Sequence, residues 1–237
     1  VAARTYGQYC GVTTAVELIG ERWALLIVRD LLVGPRRYTD LKHGLPRIPT
    51  NILSARLKEL QEGGVVRRVP LMNCGLVYEL TPYGSELEPI VLALCRWGSA
   101  RMGEPGPDDV VTADSLTVTL RAAFRPDAAA RLPAADYELR AGDVALRVQV
   151  KDGGLRITPL TAVAPVGGRP PSGDPDVIVS TGPGIHRVLS GELSPGAAID
   201  LGVLTVVSGD AGLLERFAET FRMPSRNRPG AGASVGS

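Results

Sequence analysis

One stretch, Tyr38 to Thr81, narrows the folds open to this chain more than any other. Pro49-Thr50-Asn51 opens a helix in which Leu53, Leu57 and Leu60 recur at spacings of four and three. Gly63-Gly64 stops that helix, and Val65–Val69 and Leu76–Leu80 follow as strands around Leu71-Met72-Asn73-Cys74-Gly75. Ahead of it, Tyr38–Gly44 reads as a short helix and Leu45-Pro46-Arg47-Ile48 as a turn. Two helices across a tight turn, a glycine stop and a β-hairpin make a winged helix-turn-helix, with residues 49–62 as its recognition helix.

The faces of that helix follow from its pitch. At ~100° per residue, Leu57 and Leu60 fall within about 40° of Leu53, while Asn51, Ala55 and Lys58 fall opposite with Ser54 beside them. The leucines must pack inward, so Asn51, Ser54 and Lys58 face out, with Arg56 able to swing to the edge of their face. Asn suits adenine, and Arg or Lys suits guanine, in the major groove. Thr50 and Asn51 can cap the helix or meet a phosphate. Arg36 and Arg37, just ahead of the motif, are either phosphate contacts or a solvated turn. The wing tip carries no basic residue, which leaves Arg67 and Arg68 at its base to reach a backbone. Double-stranded DNA is the partner these residues imply.

Charge agrees with that partner in sign. Residues 1–103 hold 13 Lys and Arg against 9 Asp and Glu, a net of +4, whereas residues 104–237 hold 13 against 16, a net of −3. No apolar run approaches the ~20 residues of a membrane span, and no secretion signal opens the chain; a cytoplasmic protein without membrane contact is expected. Three cysteines without ligand spacing and two distant histidines, His43 and His186, call for no metal, cofactor or triad chemistry. Serines and Asp174, Asp176, Asp200 and Asp210 in the second half form no convincing catalytic set, and Asp210 reads as a helix N-cap. No enzymatic activity is expected.

Around the motif, apolar residues from Val12 and Val16 to Leu32 indicate two helices parted by Gly20, the second over 21–33. Thr81-Pro82 opens a helix to about residue 102 carrying Leu87, Ile90, Val91, Leu94 and Trp97. That is more apolar surface than a small winged domain covers, so a second copy of the chain is its natural partner. Residues 104–112 read as a linker rich in Gly, Pro and Asp. Beyond it strands are expected at 115–120, 136–140, 144–150, 155–158, 176–180 and 203–207, with helices at 184–189, 195–201 and 211–221. A Gly/Pro loop at 164–175 and a disordered tail at 224–237 complete the pattern.

Residues 10–102 resemble the HxlR-type winged-helix transcription regulators. The resemblance lies in Cys10, AVELIGERWALLIVRDLLVGPRRYTDL (15–41), ILSARLKELQEGGVVRR (52–68), YELTPYG (78–84) and Trp97-Gly98, in family order. It implies a homodimer on a palindromic operator, with the first and last helices, hence Val12, Val16, Leu87, Ile90, Val91, Leu94 and Trp97, at the interface. Half-sites would then lie one helical turn, ~34 Å, apart. Cys10 sits where some members of that family carry a redox-sensing thiol; the bland reading is an inert cysteine. The residue after Cys10 is Gly11, where the family commonly has proline.

Residues 113–223 more loosely resemble sterol-carrier-protein-like α+β domains, on DPDVIVSTGPGIHRVLSGELSPGAAIDLGVLTVVSGDAGLLERFAETF (174–221). This resemblance implies an apolar tunnel and assigns no ligand-contacting residue. The expectation is therefore an α+β chain in two parts: a DNA-binding and dimerising domain at 1–103, and a sterol-carrier-protein-like domain at 113–223 taking a hydrophobic small-molecule effector. The alternative is a thiol-based redox regulator whose second domain is structural or a lipid carrier.

Overall fold

The structure, a computed structural model, describes residues 5–71, 75–106, 108–160 and 171–224. The wing-tip residues Met72, Asn73 and Cys74, much of the Gly/Pro loop and the expected tail from residue 225 lie outside the described residues.

The first part runs α1 (Gly11–Ile19), α2 (Ala24–Val33), α3 (Tyr38–Gly44), α4 (Thr50–Glu62), β1 (Val66–Leu71), β2 (Gly75–Leu80), α5 (Pro82–Ser85) and α6 (Glu88–Ser99). Strands β1 and β2 pair antiparallel, placing Arg67 opposite Glu79 and Arg68 opposite Tyr78. Leu53, Leu57 and Leu60 of α4 are almost wholly buried with Ile27, Val28, Leu41, Leu45 and Ile48. This core fixes α4 with its opposite face outward. Two glycines shape its exit. Gly64 takes φ +69°, which lets the chain reverse into β1, and a Cβ on Gly84 would collide with the Val65 carbonyl oxygen. Thr81 caps α5 by accepting a bond from the Gly84 amide at 3.0 Å, as the Thr-Pro signal predicts.

Three boundaries differ from expectation. The second helix starts at Ala24 because Trp23, its N-cap, adopts a left-handed conformation at φ 82°. The expected single helix at 82–102 is divided at Glu86 and Leu87, and its second part ends at Ser99. Residues 115–120, expected as a strand, lie within helix α7 (Ala113–Ala123).

The physical reason for that third difference lies in packing. Leu116, Val118 and Leu120 alternate with threonines and so imitate a half-buried strand. In the fold α7 is buried on several sides. Leu116 and Leu120 join the second core and Val118 the first, so both spokes of the alternation point into apolar surroundings. The intervening hydroxyls are satisfied within the helix: Thr117 donates to the Ala113 carbonyl at 2.7 Å and Thr119 to that of Ser115 at 2.8 Å. Thr112 and Ser115 form a reciprocal capping box that starts the helix.

After α7 come α8 (Pro126–Ala129), β3 (Ala135–Ala141), β4 (Val144–Lys151), β5 (Gly154–Pro159), β6 (Val177–Thr181), α9 (Ile185–Leu189), α10 (Pro195–Asp200), β7 (Leu204–Gly209) and α11 (Leu213–Thr220). The strands form one mixed sheet ordered β5-β4-β3-β6-β7, parallel only where β3 meets β6. One sheet face carries Tyr137, Leu139, Leu146, Val148 and Val179 into a core with the helices. There Phe217 stands edge-on to Tyr137, with ring centroids 5.3 Å apart, and 4.6 Å from Phe221. The Tyr137 hydroxyl is pushed up to about 12 by burial.

The opposite sheet face is polar. Arg147, only 3% exposed, makes a bidentate pair with Asp136 and donates to the Gly173 carbonyl at 3.1 Å, while Gln149 donates to Asp136 at 2.8 Å. Asp210, expected as an N-cap, bonds the Gly212 amide at 2.8 Å, and α11 starts three residues after it. The two halves meet through α7, which packs on both α2 and α6.

Candidate nucleic-acid interface

The outward face of α4 matches the helical projection. Thr50, Asn51, Ser54 and Lys58 are exposed, opposite the buried leucines. Pro49 is the N-cap and no side chain caps the helix, so the first-turn amides of α4 face outward without a side-chain acceptor. Thr50 is thus the first helical residue rather than a cap. An unfilled helix start with its partial positive charge is suited to a phosphate oxygen.

Tyr38, Lys42 and Ser54 hold this end in place. The Tyr38 hydroxyl donates to the Thr50 carbonyl at 2.9 Å and lies 3.1 Å from the Ser54 hydroxyl. Lys42 bonds the Ile48 carbonyl in the turn. Arg47 in the same turn is exposed, with its guanidinium 3.9 Å from Asp108. Tyr38, Lys42 and Arg47 were not among the expected site residues. A basic residue in the turn just ahead of the recognition helix was the available signal for Arg47; nothing local marked Tyr38 as the residue that anchors α4.

Two expected contacts are corrected. Arg36 is fully buried, so it cannot reach a phosphate. Its backbone bonds Tyr78 in both directions, at 2.9 and 2.8 Å, as a short extension of the wing sheet. Alternation along that extended segment turns the Arg36 side chain inward and leaves Arg37 exposed. Inside, Arg36 makes a bidentate pair with Asp114 of α7, Nε to Oδ2 being 3.0 Å. Arg56 does not swing to the reading face either. Its side chain is 16% exposed and pairs with Glu59 and, at 3.3 Å, with Glu21 ahead of α2. These carboxylates draw it toward the α1–α2 connection.

On the wing, Arg67 is exposed but paired with Glu79 at 2.6 Å, and Arg68 lies over the Tyr78 ring at 5.7 Å. Lys58 is exposed and pairs with Glu62 at 3.7 Å, a contact weak enough for a phosphate or base to displace.

Beside the Arg36–Asp114 pair sits Asp30, also fully buried. Its carboxyl is pushed up to about 7 by burial, with the Asp114 charge adding to the rise and Arg29 and Arg36 opposing it. Arg29 donates to Oδ1 at 2.8 Å, whereas Oδ2 is without a hydrogen-bond partner among the described residues.

The expected dimer residues divide. Val12, Val16, Ile90, Leu94 and Trp97 are exposed, Trp97 to 74%. Val91 is 7% exposed and packs within the chain's own first core, with half-buried Leu87 against the same core. Val91 is therefore removed from the proposed contact, whereas Leu87, at the N-cap of α6, is only partly covered by the chain's own core. Helix α1 buries none of its residues. Cys10 is exposed at the N-cap of α1, and the backbone amides of Thr13 and Val12 hold its thiol below the ordinary value. Cys95, half-buried in α6, is raised by burial.

A three-helix core with an outward recognition helix and a following hairpin defines a winged helix-turn-helix. The family model for the HxlR-like helix-turn-helix matches residues 18–105. An uncharacterised HTH-type transcriptional regulator of Bacillus subtilis, YvaP, is 38% identical over 87 residues, covering 36% of this chain and 81% of YvaP. Another, sll1512 of Synechocystis, is 33% identical over 95 residues, covering 39% of this chain and 70% of its own length. The oxidised form of the redox regulator HypR matches with 29% identity and a TM-score of 0.38, over 40% of this chain and 99% of HypR. The chain belongs to the HxlR-like helix-turn-helix family of transcription regulators. Among the described residues no helix is long and apolar enough to cross a membrane.

Proposed function

We propose that this protein is a dimeric regulator that reads operator DNA with α4 and answers to a hydrophobic small molecule held by its second half. The observation that carries the DNA reading is the uncapped, outward start of α4, where Thr50, Asn51, Ser54 and Lys58 are exposed together. Arg37 and Arg47 flank it as phosphate contacts, with Arg67 and Arg68 at the wing base. In this reading Asn51 and Lys58 meet base edges, Thr50 and the helix start meet a phosphate, and Ser54 is oriented by Tyr38.

The exposed apolar residues Val12 and Val16 of α1 and Ile90, Leu94 and Trp97 of α6 support a second copy as partner, since large apolar side chains left on a surface favour association. The effector reading rests on the resemblance of residues 174–221 to sterol-carrier-protein-like domains and is supported by the strand, two short helices, strand and helix found there, β6 to α11; in this reading 104–112 is the linker and 113–223 the domain. An effector regulates only by binding the DNA-competent and incompetent states with different affinity. A ratio of ~100, about 2.7 kcal/mol, suffices.

Selection of bound duplexes from a random pool, followed by mobility shift, tests the DNA reading. The triple variant Asn51→Ala, Ser54→Ala, Lys58→Ala should lose sequence preference. Full operator affinity in that variant would refute the assignment of α4.

A second reading is favoured by Cys10. An exposed thiol acidified by helix-start amides has the properties of a reactive cysteine. If oxidant releases the DNA, Cys10→Ser abolishes release and apolar compounds change nothing, redox control replaces the effector.

A further inference from the structure

A half-open cleft of about 400 Å³ lies where the segment after α6 passes across α7 and α9. Its size sits at the lower end of small-molecule sites. Met102, Val110, Leu116 and Ile185 supply apolar wall, and Met102 and Val110 are 52% and 65% exposed, leaving apolar surface for a ligand to cover. Glu104 and Asp109 supply carboxylates to the same lining, which holds no Lys or Arg.

Each carboxylate is only partly engaged. Glu104 has Arg187 at 3.9 Å, but the same guanidinium nitrogen lies closer, 3.0 Å, to Glu192. One Asp109 oxygen accepts the Gly106 amide at 2.8 Å. His186, also in the lining, has Nδ1 3.0 Å from the Pro183 carbonyl. The cleft thus joins an apolar wall to a lip that bears two carboxylates and no Lys or Arg of its own. A carboxylate or phosphate ligand would meet charge of its own sign there, and a purely apolar one would leave the lip unused.

We propose that this cleft binds a small amphipathic amine: an aryl or alkyl body against Met102 and Val110, and an ammonium between Glu104 and Asp109. The proposal rests on the reading of the chain as ligand-responsive, and it relocates the ligand from the interior of the second domain to its junction with the first. An occupant touches Met102, three residues past α6, and Leu116 of α7, two residues from Asp114. It therefore contacts the exit of the expected dimer helix and the helix whose carboxylate holds Arg36.

The test is fluorescence titration of the full chain, without DNA, using dansylcadaverine as the cationic probe, dansylamide as the neutral one and dansylglycine as the anionic one. Dansylcadaverine should bind saturably and at least tenfold more tightly than dansylglycine. Glu104→Gln with Asp109→Asn should weaken dansylcadaverine about tenfold and leave dansylamide unchanged. Val110→Trp, at an exposed position, should fill the cleft and abolish binding of both. Equal affinity for the anionic probe, or dansylcadaverine binding unaltered by either variant, overturns the proposal. Binding that follows this pattern but never alters a mobility shift supports the site and refutes the effector reading, so the two fail separately.

Discussion

Arg36 and Asp114 stand 78 positions apart and share a buried bidentate ion pair that joins the entrance of the helix-turn-helix to α7. The arginine is fully buried and the carboxylate nearly so. Such a pair stabilises little relative to apolar residues of the same shape, but removing one partner strands a charge in a low dielectric.

Asp114→Ala should accordingly destabilise the protein by about 3–5 kcal/mol. Arg36→Met with Asp114→Leu should recover most of that loss. Urea denaturation of both variants checks the prediction; equal destabilisation by the single and double changes would contradict it.

Asp30 makes stability depend on pH. Its folded value of about 7 lies above the ordinary 3.8, so the folded state holds this proton more tightly than the unfolded state does. Stability from this group is full below pH ~4, falls between ~4 and ~7, and stays low above that. At ~1.4 kcal/mol per unit the loss is at most about 4 kcal/mol. Asp30→Asn should gain on the wild type steadily as pH rises through that window, measured as the difference in urea midpoints at pH 5 and 8.

Arg56 and Asn51 should separate stability from recognition. Arg56→Ala removes contacts to Glu21 and Glu59 and should cost about 0.5–1 kcal/mol of stability with little change in base preference. Asn51→Ala should leave stability unaltered and cost ~1–3 kcal/mol of discrimination at one base pair. Thermal melts and competition mobility shifts on the same two proteins decide this.

The outer face of α6 offers a contrast within one helix. Leu94→Asp with Trp97→Asp places charges on exposed positions and should yield folded monomer in sedimentation velocity. Val91→Asp, in the core, should unfold the chain instead. Folded dimer in the double variant would remove α6 from the interface.

These contrasts show where sequence was sufficient. The winged motif was legible because periodicity, glycine stops and the Thr81-Pro82 start are local, and Tyr38–Gly44 was bounded to the residue. Local pattern failed where burial depended on a remote partner. Arg36 looked like any surface arginine beside Arg37, because the Asp114 that draws it inward is far along the chain. Leu116, Val118 and Leu120 looked like strand because two different cores claim opposite faces of one helix. Arg56 was misplaced for the same reason, its angle on α4 being legible but Glu21 beside it not.

The Arg36–Asp114 pair also bears on how the chain is made. A ribosome delivers residues 10–102 before α7 exists, so the nascent winged unit must carry an arginine destined for burial before its bidentate carboxylate, Asp114, has been made. Helices α2 and α6 likewise wait with the faces that α7 will cover. The DNA-reading half of this chain is thus finished only when the first helix beyond the linker emerges, which ties the completion of the reader to the synthesis of its neighbour.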